Sequence, residues 1–167
     1  MSGAYENRKN IYQKIGFGGG CHWCTEAVFQ SLKGVYKVEQ GYISSIHEND
    51  YFSEAVLVYF DPKIIPLKDL IEIHLHTHNS TSNHSFRKKY RSAIYYFEQI
   101  EKQNIEIYLK ELQKNLDASI ITIVLEFNKF QASRDELLNY YQKNPNAPFC
   151  KKYIHPKLVF LKEKYTN

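Results

Sequence analysis

An α/β sandwich is the fold class predicted for this 167-residue chain, on three observations. Segments rich in Val, Ile, Tyr and Phe alternate with segments whose apolar residues recur at helical spacing. The first six segments run β-α-β-β-α-β, the split βαβ order of a ferredoxin-like fold, and a helix and a strand follow. The expected architecture is therefore a two-layer α/β sandwich: a βαββαβ core with an added helix and strand. Hydrophobic residues make up 43% of the chain and aromatics 15%, enough for a real core. The length suits one domain better than two. Residues 1–167 are expected to form a single domain, its core spanning about residues 15–158 between polar tails.

The elements follow in order. "QKIGFG" reads as a short strand. From His22 to about Leu32 a helix fits, with Trp23, Ala27, Val28 and Leu32 at three-to-five-residue spacing and Gly34 as its stop. "VYKVEQGYI" and "EAVLVYF" read as strands, and Asp61-Pro62 turns the chain. Pro66 opens a second helix carrying Leu67, Leu70, Ile71, His74 and Leu75 on one face. "SAIYYF" is a further strand. Glu98 to about Leu116 is a long helix with a stripe of Ile105, Tyr108, Leu109 and Leu112. "SIITIVLEF" has the strongest strand pattern in the chain. Arg134 to about Gln142 fits a short helix, as does the tail after Pro156.

Composition narrows the function classes. Lys and Arg total 22 against 18 Asp and Glu, and the excess of +4 is spread along the chain. No basic stripe interleaved with aromatics marks a nucleic-acid partner. The polar start "MSGAYENRKNIYQ" has no apolar stretch of the secretory kind, and no later segment is long enough to span a membrane. Three cysteines are an odd number for a secreted disulfide framework. A reducing, cytoplasmic setting is expected.

The stretch "FGGGCHWCTE", Phe17 to Glu26, concentrates the chemistry. Glycines between a strand and a helix leave backbone N–H groups uncovered. The helix start adds unpaired donors and the positive end of the dipole. Such a site stabilises an anion, and for a cysteine that anion is its own thiolate. Cys21 follows the glycines directly and is the predicted nucleophile. Cys24, one turn into the helix, is a packed neighbour or a resolving thiol. The pair also fits a thioredoxin-type C-x-x-C. Half of a zinc site, completed from "HLHTHNSTSNH", is weaker: there is no second C-x-x-C, and His74 lies on an apolar helix face. No metal is expected.

Several blocks carry a resemblance to a known family. "GGGCHWCTE" resembles the "GGCFWCxE" signature of type A peptide methionine sulfoxide reductases. "LKGVYKVEQGY" is similar to "LPGVxxVxxGY", "SEAVLVYFDP" to "AEVVxVxYDP" and "KYRSAIYYFEQ" to "QYRSAIFYxDE". "YYQKNPNAPFCKKYIHPKL" is similar to "YLxKNPxxPYCxxxIxPKL". The blocks occur in family order from about Ile15 to Leu158.

The resemblance implies reduction of the S-epimer of methionine sulfoxide, free or in peptides. It implies a nucleophile at Cys21, a proton-donating Glu54, a sulfoxide-binding Tyr90, a substrate-pocket aromatic at Trp23 and a recycling cysteine at Cys150. It implies no bound cofactor, an external dithiol reductant such as thioredoxin, and a monomer. The chemistry fits these residue types. A sulfoxide sulfur is electrophilic only when its oxygen is protonated or strongly hydrogen-bonded, so a thiolate must attack while an acid delivers a proton. A carboxyl can do so near neutral pH when burial raises its pKa. Attack leaves Cys21 as a sulfenic acid, with which Cys150 or Cys24 condenses to a disulfide. An external dithiol then restores the thiol.

The chain also departs from the family. His22 replaces a phenylalanine of the substrate-methyl cage and brings a group that titrates near neutral pH; an interaction with the Cys21 thiolate is one expectation for it. The loop after the "GY" of Tyr42 is shortened to "ISSIHENDYFS", where Tyr51 is the tyrosine available to the pocket. The family's pocket aspartate aligns with about Ser85, and Phe149 stands where a tyrosine precedes the recycling cysteine. Alternatives are a C-x-x-C thiol-disulfide oxidoreductase, a reductase of another sulfoxide, or a degenerate redox-sensing paralogue.

Overall fold

The computed structural model describes residues 12–78 and 90–165. Its frame is one six-stranded mixed sheet with helices, an α/β fold. In chain order the elements are β1 (Gln13–Gly18), α1 (His22–Gln30), β2 (Val35–Ser44), β3 (Ser53–Phe60), α2 (Leu67–Thr77), β4 (Ala93–Tyr96), α3 (Gln99–Gln113), β5 (Ile123–Glu126), β6 (Lys129–Ala132), α4 (Tyr140–Lys143) and α5 (His155–Tyr165). The sheet order is β5-β4-β1-β3-β2-β6. β1 lies antiparallel between β3 and β4, and β3 pairs antiparallel with β2. β5 joins β4 in parallel, and β6 joins β2 antiparallel.

The alternation of side chains along each strand sorts the core into two faces. Ile15 and Phe17 of β1, Val56, Val58 and Phe60 of β3 and Ile94 of β4 pack against Val28 and Phe29 of α1, Leu70 and Ile71 of α2 and Ile105 and Leu112 of α3. Phe17 and Phe29 stack at 4.8 Å. The opposite face carries Ile43, Ala55, Leu57 and Tyr95, with Phe97, Leu125, Phe127 and Phe130 against them. Both faces of β3 are thus buried along nearly its whole length.

Four expectations need correction. One added strand was expected, but two are present. "KFQA" forms β6 because Gly41 lets it approach: a Cβ there would lie 2.2 Å from the Gln131 carbonyl oxygen. "SIITIVLEF" contributes only the four-residue edge strand β5; Ile120 stays outside it, its amide donating to Gln113 Oε1 at 2.8 Å. The helix expected over 134–142 is divided into a 3-10 turn, Asp135–Leu137, and α4, because Asn139 takes a left-handed conformation. The tail helix begins earlier than Pro156, as a π turn over Cys150–Ile154 that continues into α5.

Two histidines of the segment weighed as completing a zinc site with the C-x-x-C pair are held in hydrogen bonds. His74 Nε2 is 2.7 Å from the Gly18 carbonyl, and His78 Nε2 is 2.8 Å from Ser92 Oγ. Among the described residues no group of three His, Cys, Asp or Glu is placed to hold a metal ion, and no helix is long and apolar enough to cross a membrane. His84 and Ser85 lie outside the described residues.

His78 packs on the glycine loop. Gly19 has φ +141, and a Cβ there would sit 2.5 Å from the His78 ring. Gly19→Ala is expected to lower stability by about 1–3 kcal/mol through backbone strain and this clash, read as a lower urea midpoint.

Candidate active site

Cys21 is the N-cap of α1, so its sulfur meets the uncovered end of the helix. The Cys24 thiol donates to it, and the Trp23 and Cys24 amides donate as well. The Cys24 bond is the largest influence on the Cys21 thiol. Burial opposes it, the two amides add to it, and the charge of Glu54 opposes it. The net effect lowers Cys21 to about 6. The same bond, with burial, pushes the Cys24 thiol well above its ordinary range. The two cysteines therefore divide the work, one as the anion and the other as its proton-bearing partner. Cys24→Ala should raise the Cys21 pKa by a unit or more, seen as a shift to higher pH in thiolate absorbance and iodoacetamide reactivity.

Glu54 faces α1. It shares its sheet face with Val56, Val58 and Phe60 and is 5% exposed, so it does not lie on a solvent-facing edge. Its Oε1 is 3.0 Å from His22 Nε2. His22 is equally buried, and its Nδ1 lies 3.1 Å from the Gly41 carbonyl oxygen on β2. The Tyr42 ring meets the imidazole edge-on at 5.4 Å. Tyr42 is paired across the strands with Glu54, which puts both on the same face. Burial alone would lower the His22 pKa, but the bond to Glu54 reverses this and the net shift is upward. The bonded partner of His22 is Glu54, while Cys21 reaches it through charge.

Trp23 stacks on Tyr140 at 4.3 Å and meets Phe149 edge-on at 5.7 Å. The adjoining Cys150 is fully buried in one cluster with Cys24, Ala27 and Ile154, against which Cys21 also packs. Burial raises the Cys150 thiol. All three thiols are free. The C-terminal segment is held there by Glu26, which accepts the Asn139 and Tyr140 amides and the Gln40 side chain; its burial is the larger effect and raises its pKa.

The chain matches the family described as peptide methionine sulfoxide reductase over residues 13–167. It belongs to that family. Peptide methionine sulfoxide reductase MsrA of Acinetobacter baumannii (strain AYE) is 34% identical, across 93% of this chain and 97% of the relative. The reduced form of Mxr1 from Saccharomyces cerevisiae has a similar fold, with a TM-score of 0.76 at 19% identity over 86% of this chain and 92% of that one. Mxr1 in complex with Trx2 superposes with a TM-score of 0.63 at 19% identity, over 76% of this chain and 84% of that one.

In this methionine sulfoxide reductase family enzyme, Cys21, His22 and Glu54 meet between α1, β2 and β3. Tyr90 is half-buried just before Arg91, whose amide donates to Ser53 Oγ beside Glu54. Tyr51 does not turn toward Glu54. Its ring lies 4.6 Å from the Arg91 guanidinium, which bonds Tyr95 Oη and the Ile43 carbonyl on the opposite face. Three residues of this site went unassigned in the sequence: Tyr42, Glu26 and Tyr140. All three sit inside blocks already matched to the family, "EQGY", "CHWCTE" and "YYQKNP", which was the available signal.

Proposed function

We propose that the protein is a thiol-dependent reductase of methionine S-sulfoxide, in which the Cys21 thiolate attacks the sulfoxide sulfur and Glu54 supplies the proton to its oxygen. The observation that carries this reading is a helix-end thiol ionised near 6 together with a buried carboxyl, Glu54, that is hydrogen-bonded to His22. Family membership supports the substrate class. The supporting frame is read as a ferredoxin-like sandwich, since the central strands run β4-β1-β3-β2 with every neighbour antiparallel.

The step balances as sulfoxide plus thiolate plus one proton giving sulfide plus Cys21 sulfenic acid. Cys24, whose thiol is hydrogen-bonded to Cys21, condenses with the sulfenic acid to a disulfide and releases water. Cys150, in the same cluster, passes the disulfide outward by exchange. A thioredoxin-type dithiol is the reductant, a reading supported by the Mxr1–Trx2 complex. Trp23 and Tyr90 contact the substrate, which requires the Tyr140 and Phe149 rings to shift off the indole.

The test is turnover of the separate S- and R-epimers of a blocked methionine sulfoxide with dithiothreitol, then with thioredoxin. Reduction of the S-epimer alone is expected. Cys150→Ser should keep dithiothreitol-driven turnover and lose most thioredoxin-driven turnover. Failure to reduce either epimer would remove the substrate claim. Insulin reduction in its place would favour a C-x-x-C oxidoreductase, which the Cys24–Cys21 bond also suits.

A further inference from the structure

We infer that His22 and Glu54 hold one transferable proton between them, and that His22 acts as a positioning residue that keeps this proton available for the sulfoxide oxygen. The inference rests on the reductase reading above and concerns the position where the family signature has phenylalanine. The ring geometry carries it. His22 Nδ1 faces a carbonyl oxygen, that of Gly41, at 3.1 Å. A carbonyl has no proton to give, so Nδ1 must bear one. Nε2 faces Glu54 Oε1 at 3.0 Å, and that contact is a hydrogen bond only if one proton lies between the two atoms. The pair is then either imidazolium with carboxylate, or neutral imidazole accepting from a carboxylic acid. Both descriptions hold the same proton, and both are net neutral.

This arrangement differs from a lone buried glutamic acid. A carboxyl beside phenylalanine loses its proton according to its own burial. Here, loss of the shared proton leaves a carboxylate facing a bare imidazole nitrogen, two acceptors in contact within a dry site. The pair therefore keeps its proton to higher pH. The groups around His22 are the Cys21 thiolate and Glu26 on its own helix, the Tyr42 ring and Gly41 carbonyl on β2, and Glu54 on β3. The nearby anions favour retention, in line with the raised His22 pKa that remains after burial has worked against it. In the reaction the proton leaves Glu54 for the sulfoxide oxygen as the electron pair of Cys21 bonds to the sulfoxide sulfur. The hydroxyl then passes from that sulfur to Cys21 while the bond between the two sulfurs breaks and its electron pair stays on the substrate, leaving the sulfide and the Cys21 sulfenic acid. The His22–Glu54 pair takes up a proton from solvent before the next turnover.

Two measurements test this. The first needs no substrate: nitrogen-15 NMR of the histidines in the reduced, intact protein across roughly pH 5 to 9. Nδ1 of His22 should stay protonated throughout while Nε2 titrates, and Glu54→Gln should lower that midpoint by at least about one unit, tenfold in proton affinity. A Nδ1 that loses its proton, or a midpoint indifferent to Glu54→Gln, overturns the pair. The second is the pH profile of kcat for the S-epimer. The alkaline limb should fall by about one unit or more in both His22→Gln and His22→Phe, and an unmoved limb overturns the positioning role. If the unaltered protein reduces neither epimer, the reductase reading fails, and the NMR result still decides whether the pair exists.

Discussion

Cys21→Ser should abolish sulfoxide reduction, lowering turnover by at least about four orders of magnitude, with both dithiothreitol and thioredoxin. A hydroxyl at this position is not ionised near neutral pH, and the donors that stabilise a thiolate cannot bring it within range. The helix N-terminus, the two amides and the Cys24 thiol all act on a sulfur whose ordinary pKa of 9.0 needs only a modest push to reach about 6. In the proposed mechanism the thiolate is the nucleophile for the sulfoxide sulfur, so its loss leaves no sulfenic acid for Cys24 to resolve. The loss will not come from unfolding. Cys21 occupies the N-cap of α1 with no side-chain capping bond, and serine is among the preferred residues there. The thermal midpoint should stay level or rise while activity disappears. Retained turnover in Cys21→Ser would move the nucleophile elsewhere.

The position of that sulfur was legible because its causes are local. Glycines, a cysteine and a helical pattern lie within a dozen residues, and the backbone alone sets the geometry. The Glu54 environment was not legible in the same way. A glutamate opening "SEAVLVYF" reads as solvent-facing when one strand face is assumed wet, but β3 is interior to the sheet and buried on both faces. Only the family resemblance singled it out. His22 shows the reverse case. Its proximity to Cys21 in sequence drew attention to the thiolate, whereas the helix start turns the imidazole toward Gly41 and Glu54 on two other elements. The break at Asn139 has the same kind of cause. Helical spacing across 134–142 is real, but Glu26 takes the Asn139 and Tyr140 amides. That tertiary bond starts α4 there, places Tyr140 on Trp23, and so sets where the chain carrying Cys150 runs.

Glu54→Gln separates the nucleophile from the acid. The amide keeps the size of the side chain and can still bond His22, so the fold should persist with little loss. It has no acidic proton to give, and kcat for the S-epimer should fall by about 10²- to 10⁴-fold, the usual worth of a positioned general acid. The charge of Glu54 works against ionisation of Cys21, and the site it shares with His22 is net neutral both before and after the substitution, so the thiol stays ionised over a similar pH range. Alkylation of Cys21 by iodoacetamide below about pH 6 should hold steady in the variant while turnover collapses. A parallel fall in both would mean that Glu54 serves the sulfur and not the oxygen. A variant that alkylates normally and still turns over would leave the sulfoxide oxygen needing another donor, and Tyr90 would be the next residue to replace.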